Sequence, residues 1–436
     1  MIQKIILIFL SLLLNNIVAA DLNLEKINFL NKIDYSINVY NIKTRQSLYK
    51  KNTQQKFIPA SLTKLVLTAA ILDSINSKFR FKTPIYIDNL NPPNLYITGS
   101  ADPNVTRKQL KNLTKKLKNK KISQINTIIL NDSIIIKDVN SNGESARYYY
   151  ALSGGLNTNY NQIRLHIDSD YENLIASPNS KFVNIELRDV NFKKNSKKPE
   201  HPSIKILKRK QSDKFIVNGY ISKGDELNKN LKLRISRPTM FFYSEIEEVF
   251  KQNKINIANN YVQNKKTPYK KKKIYTIVSK PISSTLIKLN QESDNMIGSL
   301  LFKYLGKTLY SEPGTIKKGR KAISSFIEKK IMAGSNIKIL DGAGLSRYSF
   351  ITTDFINNIL IYLYKNHFKL IQKCLINISE VAEYKSVEIP KNFNVYVKSG
   401  TLSQIGVNNL AGFIENKQTK DVYVFSILTQ TKKKIY

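Results

Sequence analysis

Tryptophan is absent from the sequence, and cysteine and histidine are nearly absent: one cysteine and three histidines occur among 436 residues. Because a disulfide needs two cysteines, Cys374 cannot form an internal one, and a single thiol cannot build a structural zinc site. The histidines, His166, His201 and His367, are too scattered to suggest a metal site. We therefore expect no metal, no cofactor and a fold stabilised by its hydrophobic core.

Acidic residues are also scarce. The chain has 32 of them against 70 lysines and arginines, which gives a formal net charge of +38. Such an excess can indicate a nucleic-acid binder, but here the lysines are spread among asparagine and isoleucine, as AT-rich coding produces, and no nucleic-acid motif accompanies them. We expect no nucleic-acid partner, and at most peripheral attraction to an anionic cell wall or membrane surface.

Long hydrophobic runs are missing beyond the N-terminus. At the N-terminus, Lys4 precedes an apolar run at 5–14, and a short stretch of small residues, 18–20, follows it. This pattern predicts a signal peptide over residues 1–20, with the mature chain beginning at Asp21. An uncleaved anchor is the alternative, although the run is too short to span a bilayer. We therefore expect an exported protein.

Regular segments at both ends of the chain predict one domain. A strand at 34–41 begins a predicted hairpin, and a helix follows Pro59. Further helices and then strands are predicted at 283–291, 295–305, 315–329, 353–365, 395–398, 409–414 and 422–429. Helices between a hairpin and a C-terminal meander indicate an α/β fold, with one antiparallel sheet built from both chain ends.

The middle of the chain differs from both ends in composition and in predicted secondary structure. Over 81–272, short strands alternate with turns rich in asparagine, glycine, proline and lysine, and one basic helix is expected near 107–118. We interpret 81–272 as inserted β-rich material, with a nested third domain at about 165–240. The remaining domain then comprises 21–80 and 273–436.

The first of three motifs that can carry chemistry is Ser61-Leu62-Thr63-Lys64. On a helix its serine and lysine lie on one face, so the amine can reach the hydroxyl. A lysine whose pKa is lowered by burial and nearby positive charge can take the serine proton and activate a nucleophile.

Two further motifs follow in order. Ser293-Asp294-Asn295 lies at a break between helices, where the serine can relay a proton and the asparagine can hold a substrate amide. Lys398-Ser399-Gly400-Thr401 ends a strand, where the lysine supplies positive charge, the serine can bond a carboxylate, and the glycine admits a substrate backbone. The backbone N–H groups of Ser61 and Thr401 can together stabilise an oxyanion.

Each motif is weak evidence alone. Ser47 and Lys50, and again Ser335 and Lys338, have the spacing of the first motif, as a lysine-rich chain makes unavoidable, and 177–179 fits the second. The order and the predicted structural contexts of all three together favour an active site.

These residues resemble a known family. The segments 57–64, 281–306, 341–347, 99–103 and 131–133 are similar to those of D-alanyl-D-alanine carboxypeptidase/endopeptidases of the penicillin-binding protein 4 type. The resemblance covers nearly the whole mature chain, and the long separation of Lys64 from Ser293 agrees with that family's inserted domains. It implies a penicillin-binding, β-lactamase-like transpeptidase fold, in which an antiparallel sheet with flanking helices carries inserted mainly-β domains.

The resemblance also implies roles. Ser61 would be the nucleophile, Lys64 its general base and Ser293 a proton relay, while substrate would be bound by Asn295, Lys398, Ser399, Gly400 and Thr401. Peptidoglycan stem peptides and cross-links would be the substrates, cleaved in the periplasm, and β-lactams would act as covalent inhibitors.

Two departures from the family carry expectations. The third motif has serine at Ser399 where the family usually has threonine, and because the hydroxyl is kept we expect activity to survive. The sequence shows no C-terminal helix after the last strand, so we expect one face of the sheet to be less covered. The segment 341–347 is interpreted either as a structural turn or as a substrate contact.

Two other interpretations stay open. A β-lactamase-like hydrolase would need a carboxylate to activate the deacylating water, and none is evident near the second motif. A catalytically inactive wall-binding homologue would not need three intact motifs.

Overall fold

The structure is a computed structural model. It describes residues 33–137, 144–168, 173–193, 202–222, 231–263, 271–381 and 389–431. The predicted signal peptide and its cleavage position lie outside these ranges, and both stay predictions.

Seven α-helices occur in the described chain: α1 Thr63–Ser74, α2 Arg107–Asn119, α3 Pro238–Gln252, α4 Ile282–Gln291, α5 Asn295–Tyr310, α6 Ile316–Phe326 and α7 Thr353–Cys374. The strands are β1 Ile33–Asn41, β2 Gln46–Lys51, β3 Lys82–Ile87, β4 Leu95–Thr98, β5 Asp102–Val105, β6 Gln124–Ile125, β7 Ile128–Asn131, β8 Leu156–Thr158, β9 Gln162–Asp168, β10 Asn173–Ser177, β11 Val183–Lys193, β12 Ser203–Lys208, β13 Asp213–Ser222, β14 Leu231–Arg234, β15 Asn256–Ile257, β16 Val262–Gln263, β17 Lys272–Val278, β18 Ile376–Asn377, β19 Phe393–Leu402, β20 Val407–Asn416 and β21 Val422–Thr431.

The largest sheet joins the two ends of the chain. Its six strands run in the order β18-β19-β20-β21-β1-β2, and every neighbouring pair is antiparallel. Ile33 of β1 pairs with Thr431 of β21, and Asn41 pairs with Tyr423. The predicted α/β fold with one antiparallel sheet built from both ends is therefore confirmed.

Helix α1 lies in the core beside this sheet. Residues 63–72 are all buried, which is why the sequence of this helix is apolar on every side. It packs with α4, α5 and α7 in one hydrophobic cluster that also contains Phe413 and Val424 on the adjacent face of the sheet.

The opposite face of the sheet is also buried. Val395, Phe425 and Ile427, all on that face, are each 0% exposed. The expectation that one face would be less covered is therefore wrong. Alternation along β21 sends successive apolar side chains to opposite faces, so both faces are built to be covered.

The inserted region is mainly β, but it contains a second helix. A five-stranded sheet, β16-β7-β4-β3-β17, packs against α2 and α3. The segment of chain that runs from α2 to α3 also forms two three-stranded sheets, β10-β9-β14 and β11-β13-β12. The expectation of one basic helix missed α3. Its signals were present: Pro238 is at the first turn, and Phe242, Ile246, Val249 and Phe250 recur at helical spacing and are buried. The proposed domain boundaries stay predictions.

Candidate active site

The first motif places a buried lysine against a serine. Ser61 lies in a short 3₁₀ turn, Ala60–Leu62, that runs into α1, so Lys64 is one turn farther along the same face. The Lys64 Nζ is 3.1 Å from Ser61 Oγ, and the side chain is 0% exposed. Nζ also donates to Asn295 Oδ1 at 2.8 Å and to the Ala343 carbonyl at 2.6 Å. Three acceptors thus fix the amine beside the hydroxyl.

The second motif is a turn between α4 and α5. Ser293 has a φ of 52°, and Asp294 caps α5 by accepting from the Ile297 N–H at 3.0 Å. Asn295 then begins α5 with its side chain held at both ends: Oδ1 accepts from Lys64, and Nδ2 donates to the Tyr149 carbonyl at 3.1 Å.

The third motif brings a second buried lysine to the same place. Lys398 is 2% exposed, and its Nζ donates to Ser293 Oγ at 3.1 Å and to the Ser399 carbonyl at 2.9 Å. The Thr401 hydroxyl donates to Asn408 Oδ1 at 3.1 Å. A Cβ on Gly400 would stand 2.8 Å from the Pro59 carbonyl oxygen, so only glycine lets β19 approach the turn that carries Ser61.

Asn409 fixes that approach, and no motif in the sequence indicated this role. Its side-chain Nδ2 donates to the carbonyls of Ile58 and Pro59, at 2.9 and 3.1 Å, and its Oδ1 accepts from the Thr429 N–H at 3.1 Å. This fully buried amide therefore ties the segment before Ser61 to the sheet.

Burial lowers the pKa of both lysines. The Lys64 pKa falls from 10.5 to about 8 through desolvation, against the opposing pull of Asp341 and Asp294. The Lys398 pKa falls to about 7 through desolvation and the nearby charge of Lys64. The predicted lowering by positive charge thus applies to Lys398, whereas the charges beside Lys64 are carboxylates. The two lysines titrate as a pair, which holds a single proton mainly between these values.

We expect a bell-shaped pH dependence of serine acylation. The competent pair has a neutral Lys64 to accept a proton and a charged Lys398 to attract a carboxylate, so it holds one proton in total. Below about pH 7 a second proton occupies the pair, and above about pH 8 the last one leaves. Stopped-flow acylation by a penicillin from pH 5 to 10 measures the profile. A rate that rises steadily beyond pH 9 would contradict the one-proton requirement.

The segment 341–347 is a turn that touches the site through its backbone. The Asp341 carboxylate accepts from the N–H groups of Ala343, Gly344, Leu345 and Ser346. These bonds shape the turn and point the Ala343 carbonyl at Lys64. The structural interpretation of Asp341 is therefore supported, and Leu345 and Arg347 face the cleft beside it.

Close packing of two glycines holds this turn against α5. A Cβ on Gly298 would stand 2.5 Å from the Gly342 carbonyl oxygen. We expect Gly298→Ala to lower stability by about 1–3 kcal/mol through overpacking, although alanine favours helices. Thermal unfolding measures the effect. Gly154→Ala is the matched control, since its nearest contact would be an ordinary 3.7 Å. Equal melting temperatures for the two variants would contradict the packing argument.

Comparison with known proteins identifies the family. The model of the D-Ala-D-Ala carboxypeptidase 3 (S13) family matches residues 19–435. The chain belongs to this family. The protein is therefore a serine-type D-Ala-D-Ala carboxypeptidase, and the predicted resemblance is confirmed.

Relatives of this S13 carboxypeptidase agree with the assignment. The chain is 24% identical to the D-alanyl-D-alanine carboxypeptidase DacB of Haemophilus influenzae over 406 residues, which are 88% of this chain and 82% of the relative. A crystal structure of penicillin binding protein 4 from Haemophilus influenzae has a TM-score of 0.74 and 21% identity over 95% of both chains. Bd3459 of Bdellovibrio bacteriovorus, a predatory peptidoglycan endopeptidase, has a TM-score of 0.52 and 15% identity over 92% of this chain and 87% of its own. These structural matches confirm the predicted fold.

A cleft of about 730 Å³ opens over Ser61 in the S13 enzyme. Ser293, Asn295 and Thr401 line it, so it connects residues of all three motifs. Its far wall comes from the inserted region, through Arg147 and the 3₁₀ turn Tyr148–Tyr150. This wall was not predicted from the sequence, although the run of three tyrosines was an available signal for it.

Membrane-spanning helices and metal-binding clusters are both missing from the described residues. None of the helices there is long and apolar enough to cross a membrane. Within the same residues, no three histidine, cysteine, aspartate or glutamate side chains cluster as a metal site would require.

Proposed function

We propose that the protein cleaves D-alanyl-D-amino acid bonds through an acyl-enzyme on Ser61. The observation that carries this proposal is the 3.1 Å contact of Ser61 Oγ with the buried Lys64 Nζ, beneath a cleft that Ser293 lines and next to Lys398, which donates to Ser293 Oγ. A neutral amine at this distance can accept the hydroxyl proton directly.

Acylation begins when Ser61 Oγ attacks the carbonyl carbon of the scissile bond. Its proton passes to Lys64 Nζ, and the carbonyl oxygen becomes an oxyanion facing the backbone N–H groups of Ser61 and Thr401. The C–N bond then breaks as the proton held by Lys64 passes through Ser293 Oγ to the leaving nitrogen, which returns Lys64 to its neutral form. Lys398, which donates to the same Oγ, keeps its charge throughout. D-alanine departs, and the peptide stays bound to Ser61 as an ester.

Deacylation uses water. A water molecule attacks the ester carbonyl, its proton returns to Ser61 Oγ through Lys64, and the shortened peptide leaves with a new carboxylate. No cofactor or metal enters either step as proposed.

Electrostatics match a substrate that ends in a carboxylate. We propose that Lys398, Ser399, Gly400 and Thr401 receive this carboxylate, and that Asn295 holds the preceding amide. A bound anion beside Lys398 would keep that lysine charged, and its charge would in turn favour the neutral form of Lys64. Substrate binding would thereby place the shared proton of the pair on the correct lysine.

The substrate class follows from the family and its relatives. Peptidoglycan stem peptides would supply the D-Ala-D-Ala bond, and cross-links would be cleaved in an endopeptidase reaction. β-Lactams would acylate Ser61, as supported by a Haemophilus influenzae penicillin binding protein 4 crystallised with a β-lactam, at a TM-score of 0.70 and 22% identity. We place the mature protein in the periplasm, with residues 21–80 and 273–436 forming the catalytic domain and 81–272 the insert.

A fluorescent penicillin tests this proposal against its alternatives. We expect one stable covalent adduct and release of D-alanine from pentapeptide muropeptides. A β-lactamase would turn the penicillin over quickly, and an inactive homologue would form no adduct. The carboxylates near Lys64 do not favour a β-lactamase, since Asp341 is occupied by four backbone N–H groups and Asp294 caps α5.

A further inference from the structure

The inserted β-rich region contacts the second motif by two side-chain hydrogen bonds. Gln162, the first residue of β9, donates from Nε2 to Asp294 Oδ2 at 3.2 Å. The Tyr149 carbonyl accepts from Asn295 Nδ2 at 3.1 Å. Successive residues of one motif are thus held by residues more than a hundred positions away in the sequence.

The hydrogen bond from Gln162 acts on the reacting groups through Asp294, which lies between Ser293 and Asn295 in the second motif. Its side chain is 3% exposed, and its two oxygens have separate donors: Ile297 N–H on Oδ1 and Gln162 on Oδ2. On its N-terminal side stands Ser293, whose φ of 52° is uncommon for a residue with a side chain. On its other side stands Asn295, which bonds to Lys64. Fixing Asp294 therefore fixes the side chains that contact both lysines.

Gln162 is suited to this task because its own backbone is held by a neighbouring strand, where it pairs with Arg234 of β14, and by the Asn159 side chain. Strand β9 is the central strand of its sheet, between β10 and β14. The Gln162 carbonyl accepts from Asn159 Nδ2 at 2.7 Å. Gln162 does not line the cleft over Ser61, so a change there leaves the walls of the substrate cleft in place.

We propose that Gln162 is a positioning residue for acylation, which acts from the inserted region by holding Asp294 and, through it, Ser293 and Asn295. This inference rests on the proposed acylation of Ser61. It makes the insert part of the machinery that prepares the nucleophile, in addition to a wall of the cleft.

The charges around Asp294 give the proposal a distinctive pH signature. Lys64 of α1 and Lys288 of α4 face the carboxylate, as do the rings of Tyr148 and Tyr160, and Glu292 lies near those rings. Burial raises the pKa of Asp294, whereas the Gln162 hydrogen bond lowers it. Without Gln162 the pKa of Asp294 is raised further, and any protonation of the carboxylate weakens its support for the charged form of Lys64.

The test is the pH profile of acylation by a fluorescent penicillin in the full chain. For Gln162→Leu, we expect a maximal rate about ten- to hundredfold lower, because small misplacements of reacting groups are costly. We also expect the acid limb to move to lower pH. Asp294→Asn keeps a good helix cap but removes the charge, so its acid limb should move the same way with a smaller loss of rate.

Controls separate positioning from folding. Gln252→Leu, on the exposed face of α3, should match the wild type in rate and profile. If Gln162→Leu lowers only the melting temperature, or acylates at the wild-type rate and midpoint, the inference is overturned. If the wild type itself forms no adduct, the proposed function fails instead.

Discussion

Replacing Ser61 by alanine should abolish labelling by a fluorescent penicillin and reduce D-alanine release by about 10⁴-fold or more. The reason is that the ester forms on Ser61 Oγ, and among the described residues no other hydroxyl is both in the cleft and within 3.1 Å of the Lys64 amine. The fold should be unaffected, since the change removes one oxygen from a half-buried side chain. Gel fluorescence and chromatography of digested muropeptides measure the two effects.

The sequence itself offers a matched control for this variant. Ser47 and Lys50 repeat the spacing of Ser61 and Lys64, but they lie on β2, where both side chains are exposed. Ser47→Ala should therefore label and hydrolyse like the wild type. Adduct formation that persists in Ser61→Ala would remove Ser61 as the nucleophile.

Replacing Lys64 by methionine should slow acylation by about 10³-fold, within the range known for loss of a general base. Methionine is similar in size and fills the same buried space, so the loss reports the amine and not a cavity. The Ala343 carbonyl and Asn295 Oδ1 lose a donor, but the cost of burying a charge also disappears. We therefore expect a melting temperature close to that of the wild type.

The matching control is Lys50→Met, in the exposed pair Ser47 and Lys50 that repeats the spacing of the first motif. This variant should change neither the acylation rate nor the stability. The bell-shaped pH profile should also vanish in Lys64→Met, leaving a slow residual reaction governed by Lys398. Rapid acylation by Lys64→Met would show that another group takes the serine proton, with Lys398 the first candidate because its pKa is also lowered, to about 7.

Local chemistry made much of the fold predictable. The apolar run after Pro59 predicts a buried helix, and the apolar residues near the C-terminus predict strands. The burial of both faces of the sheet was not predicted, although the near-continuous apolar run of β21 is typical of it. Helix α3 was not predicted although its apolar residues recur at helical spacing, because the strand-like, turn-rich segments around it favoured a β interpretation. Its buried face packs against strands that are distant in the sequence.

The active site, like the fold, was predictable in part from the sequence. The sequence by itself determined the residue types and local geometry of the three motifs, because the spacing of Ser61 and Lys64 sets their distance along one helix face. Only the tertiary structure decided what surrounds them: the Ala343 carbonyl on Lys64, the Asn409 amide behind Pro59 and the Gln162 contact with Asp294. These contacts join residues far apart in the chain, and so do the burial and charges that set the two lysine pKa values. No periodicity records such contacts, because their energies depend on distances that exist only after the sheet has joined both ends of the chain.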